Sequence, residues 1–168
     1  MLASPRLMAT ARIIPIPLAQ RVASVLFQKT LQAHPKLFDR LGQFESSRFC
    51  FIPSDFPFGF AIRPADRSIR TFRSRDEPPS DATIRGPLFL MLALAEGRVD
   101  GDAIFFARKL TVTGDMEAVL ALRNALDDCG IDLVKSIGTI AGPLKSPVGV
   151  ALSAFRKQVL KDQGVTWN

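Results

Sequence analysis

The chain of 168 residues contains no tyrosine, one tryptophan, one histidine (His34) and two cysteines. Each scarcity excludes something. Cys50 and Cys129 cannot make a disulfide framework, and with a single histidine they do not make a metal site. Both read as reduced core residues of a cytosolic protein. Without tyrosine, and with most basic residues dispersed, the chain lacks the stacking surface and clustered charge of a nucleic-acid binder. The longest uninterrupted apolar run, Leu88 to Ala95, has eight residues, well short of the ~20 needed to span a bilayer. No GxSxG elbow, Walker loop or dinucleotide-binding glycine pattern occurs. The carboxylate pairs Asp76-Glu77, Asp100/Asp102 and Asp127-Asp128 fall in turns or at a helix end, where turn and cap chemistry accounts for them. A catalytic set is therefore not expected, and neither is a cofactor.

Acidic residues are also missing from one region. Between Met1 and Phe38 there are five basic residues (Arg6, Arg12, Arg21, Lys29, Lys36) and no carboxylate. The whole chain carries 22 Lys and Arg against 16 Asp and Glu, a formal net charge of +6. Such a balance suits an anionic partner or surface. A basic arm with an amphipathic helix is the composition of an interfacial membrane segment, which nominates Arg6, Arg12, Arg21 and Lys29 for membrane contact. Docking of the helix on the domain, or pairing with a second copy, is the alternative. The same composition suits a mitochondrial presequence. The second basic stretch, Arg63, Arg67, Arg70, Arg73 and Arg75, reads as surface charge on a hairpin or as a face toward anionic lipid.

Apolar content is high: 47% of residues, with 13 phenylalanines. Its periodicity predicts a helix over Leu18–Ala33 with Val22, Val25, Leu26 and Thr30 on one face. A short helical turn follows through Phe38, Leu41 and Phe44. Three short strands, Arg48–Ile52, Phe58–Arg63 and Ser68–Ser74, are separated by turns and form an antiparallel meander. A further strand, Asp81–Arg85, leads through Gly86-Pro87 into the apolar helix ending at Ala95. Ala103–Thr113 reads as the clearest strand, with Ile104, Phe106, Leu110 and Val112 on one face. Asp115 then caps a helix over Met116–Cys129 with Met116, Val119, Leu122, Leu126 and Cys129 inward. A last helix is predicted over 147–161. The order is α+β, a mainly antiparallel sheet with helices on one face. Residues 1–45 form the arm and first helix, 46–162 the domain and 163–168 a tail.

One stretch carries a resemblance. Asp102 to Asp127, with Phe105, Phe106, Arg108, Leu110, Gly114, Asp115, Asn124 and Asp127, resembles the signature of bacterial sterol-carrier-protein type 2 (SCP2) domains, in the branch that assists ubiquinone biosynthesis. The resemblance implies a curved five-stranded sheet whose helices enclose an apolar tunnel. It also implies a non-catalytic accessory factor that holds isoprenoid quinone or its prenylated intermediates during oxygen-independent synthesis. Implied partners are the isoprenoid lipid, phospholipid, and hydroxylases of the peptidase-U32 type that carry iron–sulfur clusters. The expected location is the cytoplasm, peripherally on the membrane.

A carrier of this kind needs apolar walls, because each CH₂ moved out of water contributes ~0.8 kcal/mol. The residues nominated from their elements are Phe89, Leu92, Phe106, Leu110, Leu122, Leu126, Phe155 and Val159. Two other functions fit the same residues. One is a scaffold that uses an exposed apolar sheet face or the N-terminal helix for protein contacts or a homodimer. The other is a lipid-modifying enzyme with Asp100 or Asp102 at a cavity mouth.

Overall fold

The computed structural model describes residues 15–95 and 110–129, apart from the side chains of Phe89 and Ala95. Helix α1 (Ile16–Ala33) is followed by a 3-10 turn (Asp39–Phe44). Three strands come next: β1 (Phe49–Pro53), β2 (Phe58–Arg63) and β3 (Ser68–Arg73). Then come β4 (Ala82–Gly86), α2 (Leu88–Ala95), β5 (Thr111–Gly114) and α3 (Met116–Cys129). The strands form one sheet in the order β3-β2-β1-β4-β5. The expected meander is present, and β5 pairs antiparallel with β4. Among the described strands, only β1 and β4 run parallel.

That parallel pair follows from the crossover. Between β3 and β4 the chain must traverse three inter-strand spacings, about 14 Å. Residues 74–81 can reach that far, because eight extended residues span up to ~26 Å. Their route is marked by Cys50, whose Sγ lies 3.9 Å from the carbonyl oxygen of Pro78. The crossover thus covers the sheet face that holds Cys50, Ile52 and Phe72. Glu77 fixes it, accepting hydrogen bonds from the Thr83 hydroxyl (3.2 Å) and the Arg85 guanidinium.

The opposite face carries the main core. Phe49, Ala82 and Ile84 share one cluster with Leu31, Leu37, Phe38 and Leu41 and with Leu90, Met91, Ala93, Ala118, Val119, Leu122 and Ala125. Asp115 caps α3 as expected, accepting the Ala118 N–H at 3.0 Å on Oδ1. The α2 N-terminus is capped from a distance by Asp55, whose Oδ1 accepts the Leu88 N–H at 2.8 Å.

Three expectations need correction. In α1 the buried residues are Ala23, Thr30 and Leu31, whereas Val22 and Val25 are exposed. Small Ala23 and the polar Gln20 set the contact face where the first half of the helix runs along the edge of β3, and Leu31 near its end reaches the main core. In α3, Val119 and Leu122 are buried and Leu126 and Cys129 pack against the core as expected, but Met116 is 58% exposed, and Ala118 and Ala125 complete the buried face. Small alanines allow that face to approach closely, and the first residue after the cap lies beyond it. Among the described residues β5 spans Thr111–Gly114, and Leu110, expected in the same strand, lies in a bend; residues 103–109 of the expected strand lie outside the described residues.

Gln20 seals the edge of β3. Its side-chain amide donates to the Ile69 carbonyl at 2.8 Å and accepts from the Thr71 N–H. These are the outward backbone groups that a neighbouring strand would use, and an unpaired edge is a template for aggregation.

Candidate functional site

The sheet register builds the helix-side face row by row. One row reads Ile69–Ile62–Phe49–Ala82–Gly114 and the next Thr71–Phe60–Phe51–Ile84–Val112. Cross-strand partners project to the same side, so five strands present a nearly continuous apolar surface to the helices. Phe49, Ala82 and Ile84 are fully packed. Phe51, Phe60 and Ile62 are only half-buried. The open part of the face is therefore centred on β1 and β2, and it ends at a phenylalanine cluster. Phe56, on the turn before β2, meets Phe58 edge-on at 5.4 Å and lies nearly parallel to Phe60 at 6.5 Å. The Arg73 guanidinium sits 4.7 Å above the Phe58 ring, within cation–π range.

The nominated wall residues that are described lie in or beside the main core on the helix side of this surface. Leu110 and Leu122 are in the main core, with Leu126 packed against it. Leu92 is half-buried on α2. Phe89 belongs to α2, but its side chain is not described. Phe106, Phe155 and Val159 lie outside the described residues, as do Arg6, Arg12, Asp100 and Asp102. Arg21 and Lys29 are exposed on α1. The same helix exposes Ile16, Leu18, Val22 and Val25.

Phe51, Phe60 and Ile62 escaped sequence reasoning. They were legible as strand residues, but which of them stay open depends on register and on where the helices stop. Leu90 and Ala93, the fully buried positions of α2, were also hidden. A helix apolar on every side has no stripe to read.

Charged groups take little part in this face. The carboxylates Asp127 and Asp128 pair with Arg123 (3.5 Å) and Arg40. In the basic hairpin, Arg63 pairs with Asp66 at 3.1 Å, Arg67 with Asp39 at 3.8 Å and Arg75 with Asp76 at 3.7 Å. Local ion pairs thus answer much of that charge. Among the described residues, no three His, Cys, Asp or Glu side chains gather to hold a metal ion. No described helix is long and apolar enough to cross a membrane. A cleft of about 440 Å³, lined by Ser46, Ser47, Arg48, Arg63, Pro79, Ser80 and Asp81, opens where β1 and β4 begin. Its lining is polar, so it does not suit an apolar chain.

Cys50 is inert for the same reason that it is buried. Desolvation pushes its thiol above the ordinary value of 9.0, against a lowering hydrogen bond to Ser80. Cys129 is only half-buried. A disulfide-exchange reagent is expected to label Cys129 in the native protein and Cys50 only after unfolding. The unfolded chain ionises Cys50 first. Its contribution to stability is therefore intact below pH 9.0 and is lost as pH rises through the folded value. A denaturation series from pH 7 to 10 checks this, with Cys50→Ala as the reference.

Three comparisons bear on this arrangement. A search of curated protein sequences finds no match. Among solved structures, "UbiJ-SCP2 Ubiquinone synthesis protein" matches with a TM-score of 0.55 at 17% identity, covering 71% of this chain and 98% of that one. At that identity it shows the fold. The apo form of Sterol Carrier Protein 2 from Yarrowia lipolytica matches at a TM-score of 0.46 and 13% identity over 70% of this chain and 93% of that one. The sterol carrier protein domain 2 of Helicoverpa armigera gives 0.47 and 13% over 79% and 98%. The model of the SCP-2 sterol transfer family matches residues 27–127, from within α1 almost to the end of α3. An α+β domain with one apolar sheet face turned toward its helices, matched by that model over more than half its length, belongs to the SCP-2 sterol transfer family.

Proposed function

We propose that this chain is a non-catalytic lipid-binding accessory factor of the UbiT type, holding isoprenoid quinone or its prenylated intermediates in oxygen-independent ubiquinone synthesis. The observation that carries the reading is the half-open apolar face on β1 and β2, inside a family described by sterol transfer. The solved ubiquinone-synthesis neighbour supports the pathway, and the Asp102–Asp127 signature supports the branch. The proposed walls start from the half-buried Phe51, Phe60 and Ile62, and the proposal keeps the nominated Phe89, Leu92, Phe106, Leu110, Leu122, Leu126, Phe155 and Val159. Residues 46–162 would be the carrier domain and 163–168 a tail, with 1–45 supplying the basic outer face for delivery while its Leu31, Leu37, Phe38 and Leu41 stay in the main core. Partner hydroxylases of the peptidase-U32 type would receive or return the substrate.

Mass spectrometry of an organic extract of the purified native protein tests the reading. Ubiquinone or a prenylated phenol near one per chain is expected. A folded protein that yields no lipid and binds none when offered it would overturn the proposal.

The outer face of α1 supports peripheral contact with the membrane in the cytoplasm. Ile16, Leu18, Val22 and Val25 are exposed beside Arg21 and Lys29, and Arg6 and Arg12 would extend the basic side. Exposed positions leave stability within about 0.5 kcal/mol when changed. The double variant Leu18→Glu, Val22→Glu is expected to fold normally and to bind anionic phosphatidylglycerol vesicles roughly tenfold more weakly or worse. Vesicle sedimentation reads this out. The same stripe favours a second reading, a homodimer or scaffold built on α1. Light scattering separates the two: a stable dimer lost in the double variant, with vesicle binding unaffected, would select the scaffold.

A further inference from the structure

We infer that the phenylalanine cluster at the β2–β3 end of the apolar face is a subsite for a planar ring carrying a hydrogen-bond-accepting oxygen, with the Thr71 hydroxyl as its donor. The inference rests on the proposed lipid-carrier reading and specifies the head of the ligand. Thr71 is 4% exposed, and its Oγ1 finds no hydrogen-bond partner among the described residues. A buried hydroxyl without a partner is uncommon and destabilising. Its backbone N–H is already taken by Gln20, so the orphan is the side chain alone. Register places Thr71 directly across from Phe60, on the helix-side face.

The surroundings select the ligand. Phe56, Phe58 and Phe60 offer one edge-on and one nearly parallel contact, the two geometries that favour aromatic partners. The nearly parallel contact between Phe56 and Phe60, at 6.5 Å, is the looser one, and both of these rings are half-buried. A ring arriving from the surface therefore meets aromatic faces first and Thr71 beside them. Arg73, two residues along the same strand face, puts positive charge over Phe58 at 4.7 Å. A carbonyl or phenol oxygen on the ring would accept the Thr71 O–H, with its negative end toward that guanidinium. A simple alkyl chain would use the apolar walls and leave the hydroxyl as it is.

The test compares wild type, Thr71→Val and Thr71→Ser with two probes, a decyl-substituted benzoquinone and a fluorescent fatty acid that lacks a ring. Valine keeps the β-branched shape and removes the hydroxyl. Benzoquinone binding is expected to weaken roughly threefold to tenfold in Thr71→Val, the range of one neutral hydrogen bond. Fatty-acid binding should stay within about twofold, and the melting temperature of the empty protein should rise by a few degrees. Thr71→Ser should bind the benzoquinone like wild type. Equal losses for both probes, no loss for either, or a lower melting temperature in the empty valine variant would overturn the inference. A wild type that binds the fatty acid but not the benzoquinone overturns it alone. A wild type that binds neither overturns the carrier reading, and the head-group subsite with it.

Discussion

Gly114→Ala is expected to remove about 3 kcal/mol or more of folding stability for the addition of one methyl group. Gly114 sits at φ +91, where an L side chain is strained, and a Cβ there would lie 2.2 Å from the carbonyl oxygen of Asp81. That oxygen cannot simply retreat. It accepts the Asp115 N–H at 2.9 Å, the bond that leads β5 into the capped start of α3. Gly114 also pairs with Ala82 across the last two strands. Strain of about 1–3 kcal/mol from the backbone alone is thus joined by a clash with fixed main chain. Gly42→Ala supplies the comparison. Gly42 has a positive φ of 53 but open space around its missing side chain, so it is expected to show the strain without the clash. Urea midpoints of the two variants should differ clearly, with alanine at 114 the worse. Equal losses would mean that β4 and β5 separate without cost.

Phe49→Ala is expected to cost about 3–5 kcal/mol, a large share of the 5–15 kcal/mol that holds a typical domain together. Phe49 is 0% exposed on the central strand, flanked by Ile62 and Ala82. Removing its ring leaves a void where α2, α3 and the 3-10 turn meet the sheet. Phe49→Leu fills most of that volume and should cost less than about 1.5 kcal/mol. Chemical denaturation with both variants checks the ratio. Neighbouring Phe51 provides a functional contrast, since it is half-buried on the same face. Its replacement by alanine should cost less stability while reducing lipid uptake.

Much of this architecture could be read from residue order. Pro53, the Asp55–Pro57 turn and the Pro64–Asp66 turn punctuate three short apolar runs, so the meander was legible. Asp115 announced α3 because a cap is a local signal. The parallel β1–β4 pair was not legible, since it depends on residues 74–81 crossing the sheet. The face of α1 was misjudged, and that of α3 only at Met116, because large residues attract attention while Ala23, Ala118 and Ala125 make close contacts. Fold class survived these errors, since it rests on element order. The site is harder. Its nominated residues were chosen by apolarity within each element, and apolarity does not separate a wall from a core. Phe51 and Phe60 become neighbours only through register, and Thr71 has no sequence mark at all.

The Gln20 clasp gives one backbone proton an unusual meaning. Edge-strand amides usually trade protons with water quickly, but the Thr71 N–H is held by a side chain from another element. Its exchange rate therefore measures how often α1 lifts away from the sheet. Slow deuterium uptake at Thr71 would show that helix and sheet open together, as one cooperative unit. Faster uptake on vesicles than in solution would time the helix's departure, and Gln20→Ala would set the clock running freely in both.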